Sequence, residues 1–291
     1  MRIAVASGKG GTGKTTIATS LALALDPDST LLIDCDVEAP NSHLYLKPEF
    51  NTSTEVGVLI PEVDQQKCTA CGRCGEVCEF HAITVIGGQT LVFPELCHGC
   101  GSCMLVCPEQ AISERLSPTG MLEVGVTSEG IDFAHGRLDV GEPMAVPVIR
   151  ELKRSLAAKE TTWETVIIDA PPGASCPVVE SLRGADFVLL VTEPTPFGLH
   201  DLKLAVELVR ELDLPAGVIV NRDGIGDTAV DAYCAQAGIL ILMRIPMQRE
   251  IAVKLAQGQP LAAAFPEYLP RFQELYSQIE TAVGKAQEAA R

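Results

Sequence analysis

The octet GKGGTGKT, Gly8 to Thr15, stands directly after the apolar run RIAVAS (2–7) and directly before a helix-forming stretch. It fits G-x4-G-K-[ST], a pattern whose working context is strand, glycine loop and helix N-terminus. The glycines let the backbone N–H groups of Gly8, Gly10, Gly11, Thr12 and Gly13 converge on phosphate oxygens. Lys14 brings charge to the β and γ phosphates, Thr15 offers a hydroxyl to Mg2+, and Thr16 continues the same helix start. A buried strand whose carboxyl end faces a nucleotide is therefore expected here.

Five more short apolar, β-branched runs follow: STLLID (29–34), TVIIDA (165–170), FVLLVT (187–192), AGVIVN (216–221) and ILILMRI (239–245). Runs of this kind, separated by helical stretches, predict a mostly parallel sheet with helices on both faces. HDLKLAVELVRELD (200–213) carries Leu202, Ala205, Val206, Val209 and Leu212 at helical spacing, as a helix covering the sheet would. GMLEVGVTSEGIDFAHGRL (120–138) alternates with period two around a Ser-Glu-Gly turn and predicts a hairpin. The tail RFQELYSQIETAVGKAQEAAR (271–291) puts Phe272, Leu275, Tyr276, Ile279 and Val283 on one face, with few basic residues opposite. It is expected to pack as a C-terminal helix rather than lie on a membrane.

The formal charge of -16 argues against nucleic acid, because a non-specific binder neutralises phosphates with Lys and Arg. No apolar run approaches the ~20 residues that span a bilayer, and MRIAVASGKGG leaves no room for a signal peptide. The expectation is a cytoplasmic protein without membrane insertion. In a reducing compartment the 11 cysteines point to metal or catalysis instead of disulfides.

Eight of those cysteines form a repeat. CTACGRCGEVCEFHAI (68–83) and CHGCGSCMLVCPEQAI (97–112) each read C-x2-C-x2-C-x3-C followed by Ala-Ile. A set of four cysteines also suits zinc, but a zinc ribbon presents two separated C-x2-C knuckles, not three-cysteine loops. The segment resembles a bacterial-type two-cluster ferredoxin, an α+β insert that would occupy 61–114 and divide the main domain into 1–60 and 115–291. In such ferredoxins the fourth cysteine of each run serves the other 4Fe-4S cluster. That resemblance implies Cys68, Cys71, Cys74 and Cys107 around one cluster, and Cys97, Cys100, Cys103 and Cys78 around the other. Glu79 stands where the motif usually has the proline that Pro108 keeps in the second run.

KGGTGKTT (9–16) resembles the deviant Walker A motif of the MinD/ParA/nitrogenase-iron-protein class of P-loop ATPases, and the insert narrows the likeness to members that carry a ferredoxin. The resemblance implies that Lys9 reaches across a nucleotide-sandwich homodimer to the partner's phosphates, where transition-state charge develops. It also implies that Asp36 in LLIDCDVEAPN is the switch aspartate that positions water, with Asn41 nearby. Asp34 and Asp169, the latter in VIIDAPPG, would serve the magnesium, and Pro172 and Gly173 would form the γ-phosphate-sensing turn. Asn221 and Pro246 would line the adenine pocket. Cys176 lies seven residues after Asp169, a spacing like that of the bridging-cluster cysteine of nitrogenase iron protein, but no second matching cysteine is evident. Cys35 and Cys234 read as small strand or helix residues.

The resulting expectation is a slow, partner-stimulated, Mg-dependent ATPase. ATP would close its homodimer and couple nucleotide state to electron transfer between the clusters and a redox or metalloprotein partner. Two alternatives remain, an ATPase that assembles or delivers iron-sulfur or metal centres, and a positioning ATPase of the MinD/ParA kind.

Overall fold

The computed structural model describes residues 1–157 and 163–289. The chain opens with β1 (Arg2–Ala6), α1 (Lys14–Leu23), β2 (Thr30–Asp34), α2 (Ser42–Leu46) and the long strand β3 (Glu49–Val63). The cysteine segment holds α3 (Arg73–Glu76), β4 (Ile83–Ile86), β5 (Gln89–Val92) and α4 (Ser102–Leu105), and a second long strand, β6 (Ile112–Val126), leads out of it. Then come β7 (Asp132–Leu138), α5 (Ala145–Ala157), β8 (Thr165–Asp169), α6 (Cys176–Leu182), β9 (Phe187–Thr192), α7 (Pro196–Glu211) and β10 (Ala216–Asp223). The chain closes with α8 (Ala229–Ala237), β11 (Ile241–Pro246), α9 (Arg249–Ala256), α10 (Leu261–Ala264) and α11 (Tyr268–Ala289).

The sheet order is β11-β10-β9-β1-β8-β2-β7-β6-β3, and every pairing from β11 to β7 is parallel. Each of the six apolar runs becomes a strand within two residues of its expected start. The central ones are buried along their whole length, because helices cover parallel strands on both faces. The alternating segment turns at Thr127–Ile131, where Thr127 N–H donates to the Ile131 carbonyl at 2.9 Å, and it supplies neighbouring strands β6 and β7.

The chain divides into two compact units, one of residues 1–53, 122–137 and 149–291, the other of 54–121 and 138–148. The second unit is longer than the cysteine repeat alone, because β3 and β6 run on past it and 138–148 joins it. In the first unit one core cluster gathers Ile3, Ile17, Leu21, Phe133, Leu189 and Ile219 with Phe272, Leu275, Ile279 and Val283 of α11. The tail therefore packs along its apolar face, Tyr276 half-buried and bonded to the Thr165 hydroxyl at 2.7 Å. The last two residues of that tail lie outside the described residues. On α7, Leu202, Ala205, Val206 and Val209 are buried, and Leu212 caps the helix.

Candidate functional site

Parallel strands converge their carboxyl-end loops on one edge, and that edge carries the glycine loop. The helix α1 begins at Lys14 behind Gly13, which is left-handed at φ 101° and gives no side-chain cap. Its first N–H groups are thus left for an acceptor from outside, the arrangement that suits a phosphate. Two of the glycines are required by close approach. A Cβ on Gly8 would lie 2.1 Å from the Asp201 carbonyl oxygen, and one on Gly13 only 2.3 Å from Asn221 Nδ2.

A cavity of about 460 Å³ opens over the loop. Gly10, Gly11, Gly13, Lys14, Thr15, Thr16, Asp36, Asn41, Pro172, Asn221 and Pro246 line it, together with Tyr45, Met247, Gln248 and the Ile251 and Leu255 face of α9. The remaining expected residues stand behind this wall. Thr12 is buried, and Gly173, left-handed at φ 100°, donates its N–H to the Ser7 carbonyl at 2.9 Å. Asn221 does more than face the cavity: its Nδ2 donates to the Thr12 carbonyl at 2.7 Å and so braces the loop from β10.

The carboxylates divide their labour. Asp34, fully buried, accepts from the backbone N–H groups of Asp36, Asn41 and Ser42 at 2.9–3.0 Å, so it shapes the loop that presents Asp36 instead of facing the cavity. Asp169 Oδ2 accepts from the Ser42 hydroxyl at 2.9 Å, while its Oδ1 is buried without a partner. Burial pushes both carboxyls well above the usual carboxylate range, and the charge of Asp169 raises Asp34 further. Burial likewise lowers the Lys14 ammonium, against the opposing pull of Asp169, Asp36 and Asp34. Three carboxylates around one buried ammonium, with a vacant lone pair on Asp169, form an acidic floor that a divalent cation would neutralise. Thr15 and Asp169 are the residues that could hold a divalent cation here.

Lys9 is engaged within its own chain. Its Nζ is ion-paired with Glu193 Oε1, and Arg222 Nη1 reaches Glu193 Oε2 at 2.9 Å. Burial raises the Glu193 carboxyl, but the Lys9 hydrogen bond and the charges of Lys9 and Arg222 outweigh it and hold the group below its ordinary value. Neither Glu193 nor Arg222 was singled out from the sequence. Glu193 immediately follows a buried strand adjacent to β1, the same kind of position as Asp169, and that was the available signal.

In the second unit the eight repeat cysteines gather in two cavities. Cys68, Cys71, Cys74 and Cys107 line one, and Cys97, Cys100, Cys103 and Cys78 line the other. The fourth cysteine of each run is thus turned toward the other run's loop. None of the eight is in a disulfide. Short helical turns behind left-handed Gly72 and Gly101 set the three-cysteine loops. Cys35 and Cys234 are buried, with thiols that burial pushes up to about 12 and about 11, whereas Cys176 is exposed at the start of α6.

The description of the CobQ/CobB/MinD/ParA nucleotide binding domain matches residues 3–261. The chain belongs to this family. Two uncharacterized proteins of Methanocaldococcus jannaschii are similar to it, one 34% identical over 78% of this chain and 80% of its own, the other 32% over 79% and 83%. An iron-sulfur cluster carrier protein of Pyrococcus horikoshii is 24% identical over 98% of this chain and 89% of its own. Among solved structures, the cell division ATPase MinD of Pyrococcus furiosus shares the fold with a TM-score of 0.57 at 22% identity, covering 96% of this chain and 98% of that one. The septum site-determining protein MinD of Pyrococcus horikoshii, complexed with Mg-ADP, does so with a TM-score of 0.57 at 19% identity, covering 98% of each. The protein is an α/β P-loop ATPase of the MinD/ParA type, and no described helix is long and apolar enough to cross a membrane.

Proposed function

We propose that this ATPase is a nucleotide-switched homodimer in which ATP state governs electron transfer through two 4Fe-4S clusters held by a ferredoxin-like insert, 61–114. The observation that carries the reading is the pair of four-cysteine cavities on the same chain as the nucleotide loop. Free, clustered cysteines with backbone N–H groups on their sulfurs are the donor set of an iron-sulfur cluster. Zinc would need four sulfurs drawn around a single ion. No three His, Cys, Asp or Glu side chains among the described residues are gathered that tightly.

In this reading Lys14 anchors the phosphates, Asp36 orients the attacking water, and Thr15 with Asp169 holds the magnesium, which supplies charge neutralisation when bound. Asn41 stands near Asp36 at the nucleotide, Pro172 and Gly173 sense the γ phosphate, and Asn221 and Pro246 border the adenine. Lys9 leaves Glu193 as the dimer closes and lends its charge to the partner's phosphates. Closure then alters access to the cysteine unit by a redox partner. The test is to reconstitute the protein and compare the rate at which a redox donor reduces its clusters with and without ATP. Equal rates, with ATP binding demonstrated, would refute the coupling.

A second reading is favoured by the relatives named iron-sulfur cluster carrier proteins. A carrier gives its iron and sulfide to an apo-acceptor protein, whereas clusters enclosed by eight cysteines stay in place. Transfer measured by the acceptor's recovered absorbance distinguishes the two.

A further inference from the structure

The two cysteine sites repeat each other at an offset of 29 residues, from Cys68 and Cys97 through Cys78 and Cys107. Their hydrogen bonds to sulfur repeat too. The N–H groups of Ala70 and Ala111 meet Cys68 and Cys107 at 3.4 and 3.3 Å, and those of Gly99 and Ala82 meet Cys97 and Cys78 at 3.5 and 3.3 Å. Each site also has one hydroxyl at a ligand sulfur, Thr90 at 3.2 Å from Cys68 and Ser102 at 3.4 Å from Cys100. Hydrogen bonding is one of the main determinants of cluster potential, and its backbone part repeats between the sites, while the hydroxyls sit on different ligands, the first cysteine of one loop and the second of the other. The larger difference is in charge.

Glu114 lines the second site, that of Cys78, Cys97, Cys100 and Cys103. It is half-buried, with Oε1 3.3 Å from where a Cβ on Gly101 would lie. The position 29 residues earlier, beside the first site, is Val85, which packs with Cys74. The first site carries Arg73 where the second has Ser102, so an exposed guanidinium offsets its own exposed acid, Glu109, whereas neither Lys nor Arg is among the described residues that line the second. The other lining residues differ in kind, although both walls are mostly apolar. Leu59, Pro61 and Phe80 line the second site, and the Phe80 ring stacks on His98 at 3.7 Å, whereas Thr69, Thr90 and Arg73 line the first.

We propose that Glu114 makes the second site the low-potential member of the pair. This rests on the cluster reading above. Reduction adds one negative charge to a group already held by thiolates. A partly desolvated carboxylate opposes that charge at the second site, while the Arg73 guanidinium favours it at the first. The second site is then reduced last, and the electron it gives up is the one the first site gains, which sets a direction from second to first.

The experiment is a dithionite redox titration of the reconstituted full-length protein, followed by paramagnetic resonance after its acid-labile sulfide has been measured. Two separate waves are expected. Glu114→Gln, close in shape and uncharged, should shift the lower wave upward and leave the upper in place. Arg73→Ser should shift the upper wave downward, and Cys71→Ser should abolish or alter the upper wave and so assign it to the first site. A Glu114→Gln protein in which neither wave moves, or in which the upper one does, overturns the proposal. A wild-type protein without acid-labile sulfide overturns the cluster reading itself, and the proposal with it.

Discussion

The core of the first unit joins β1 to a C-terminal helix, with Ile3, Phe133, Phe272 and Ile279 in one continuous apolar cluster. The second unit has two small clusters, Val58, Ile60 and Ala82 with Cys97, and Ile83 and Ile112 with Cys74 and Cys103. Ligand cysteines thus stand where the larger unit has aliphatic and aromatic side chains. A core this small leaves conformational entropy poorly opposed, and small domains of this kind are ordinarily completed by disulfides or a metal group. The two units therefore differ in what can hold them: one has extensive apolar burial, while the other, on the reading proposed above, depends on what its thiolates bind.

The comparison is broken most directly by stripping the clusters. Oxidation with a chelator is expected to abolish amide-exchange protection across 61–114 while β1, β8 and β9 keep theirs, because metal-binding free energy is folding free energy where no other core exists. Full protection of both units after removal would show that the cysteine unit folds on packing alone. Phe272→Ala should act in the opposite sense, costing about 3–5 kcal/mol in denaturant unfolding of the first unit through the cavity it leaves. The visible spectrum of the clusters should survive at low denaturant.

Smaller effects sharpen the role of the nucleotide unit. Lys14→Ala removes the loop's buried charge and should weaken ATP binding and turnover roughly 10²–10³-fold, read by calorimetry and phosphate release. Lys9→Ala should keep much of the binding and lose hydrolysis and dimer closure. Normal turnover in that variant would refute its role across subunits. Glu193→Gln should shift the ATP-dependent monomer–dimer equilibrium toward dimer about tenfold in sedimentation, because it loosens the ion pair that holds Lys9 at home. The magnitude is modest because the Lys9 side chain is 29% exposed although that of Glu193 is only 9% exposed, which puts the pair between an exposed one, at most ~1 kcal/mol, and a buried one.

Much of this molecule is local in character, and that part was legible from residue order. The glycine loop places its strand, its turn and its helix start within fifteen residues, so the motif and its context are read together. The apolar runs declare parallel strands because a strand buried on both faces has no polar side to hide. The cysteine repeat likewise announces its three-residue spacing. The reading stopped where partners lie far apart in the chain. The resemblance gives Asp34 to the magnesium, and only the fold adds that its carboxylate accepts from three backbone N–H groups of the following loop. The α9 wall of the cavity carried no motif, since its contribution is only an apolar face.

The sequence by itself determined that a phosphate loop and two sets of cysteine ligands exist, because contiguous spacing constrains local geometry strongly. Tertiary structure alone decided which partners those groups meet. Lys9 finds Glu193 across 184 residues because β1 and β9 are neighbours in the sheet. Glu114 stands at one cysteine site and Val85 at the other because β6 returns past one and β4 past the other. Charges of this kind act through space, and only the folded chain specifies the distances over which they act.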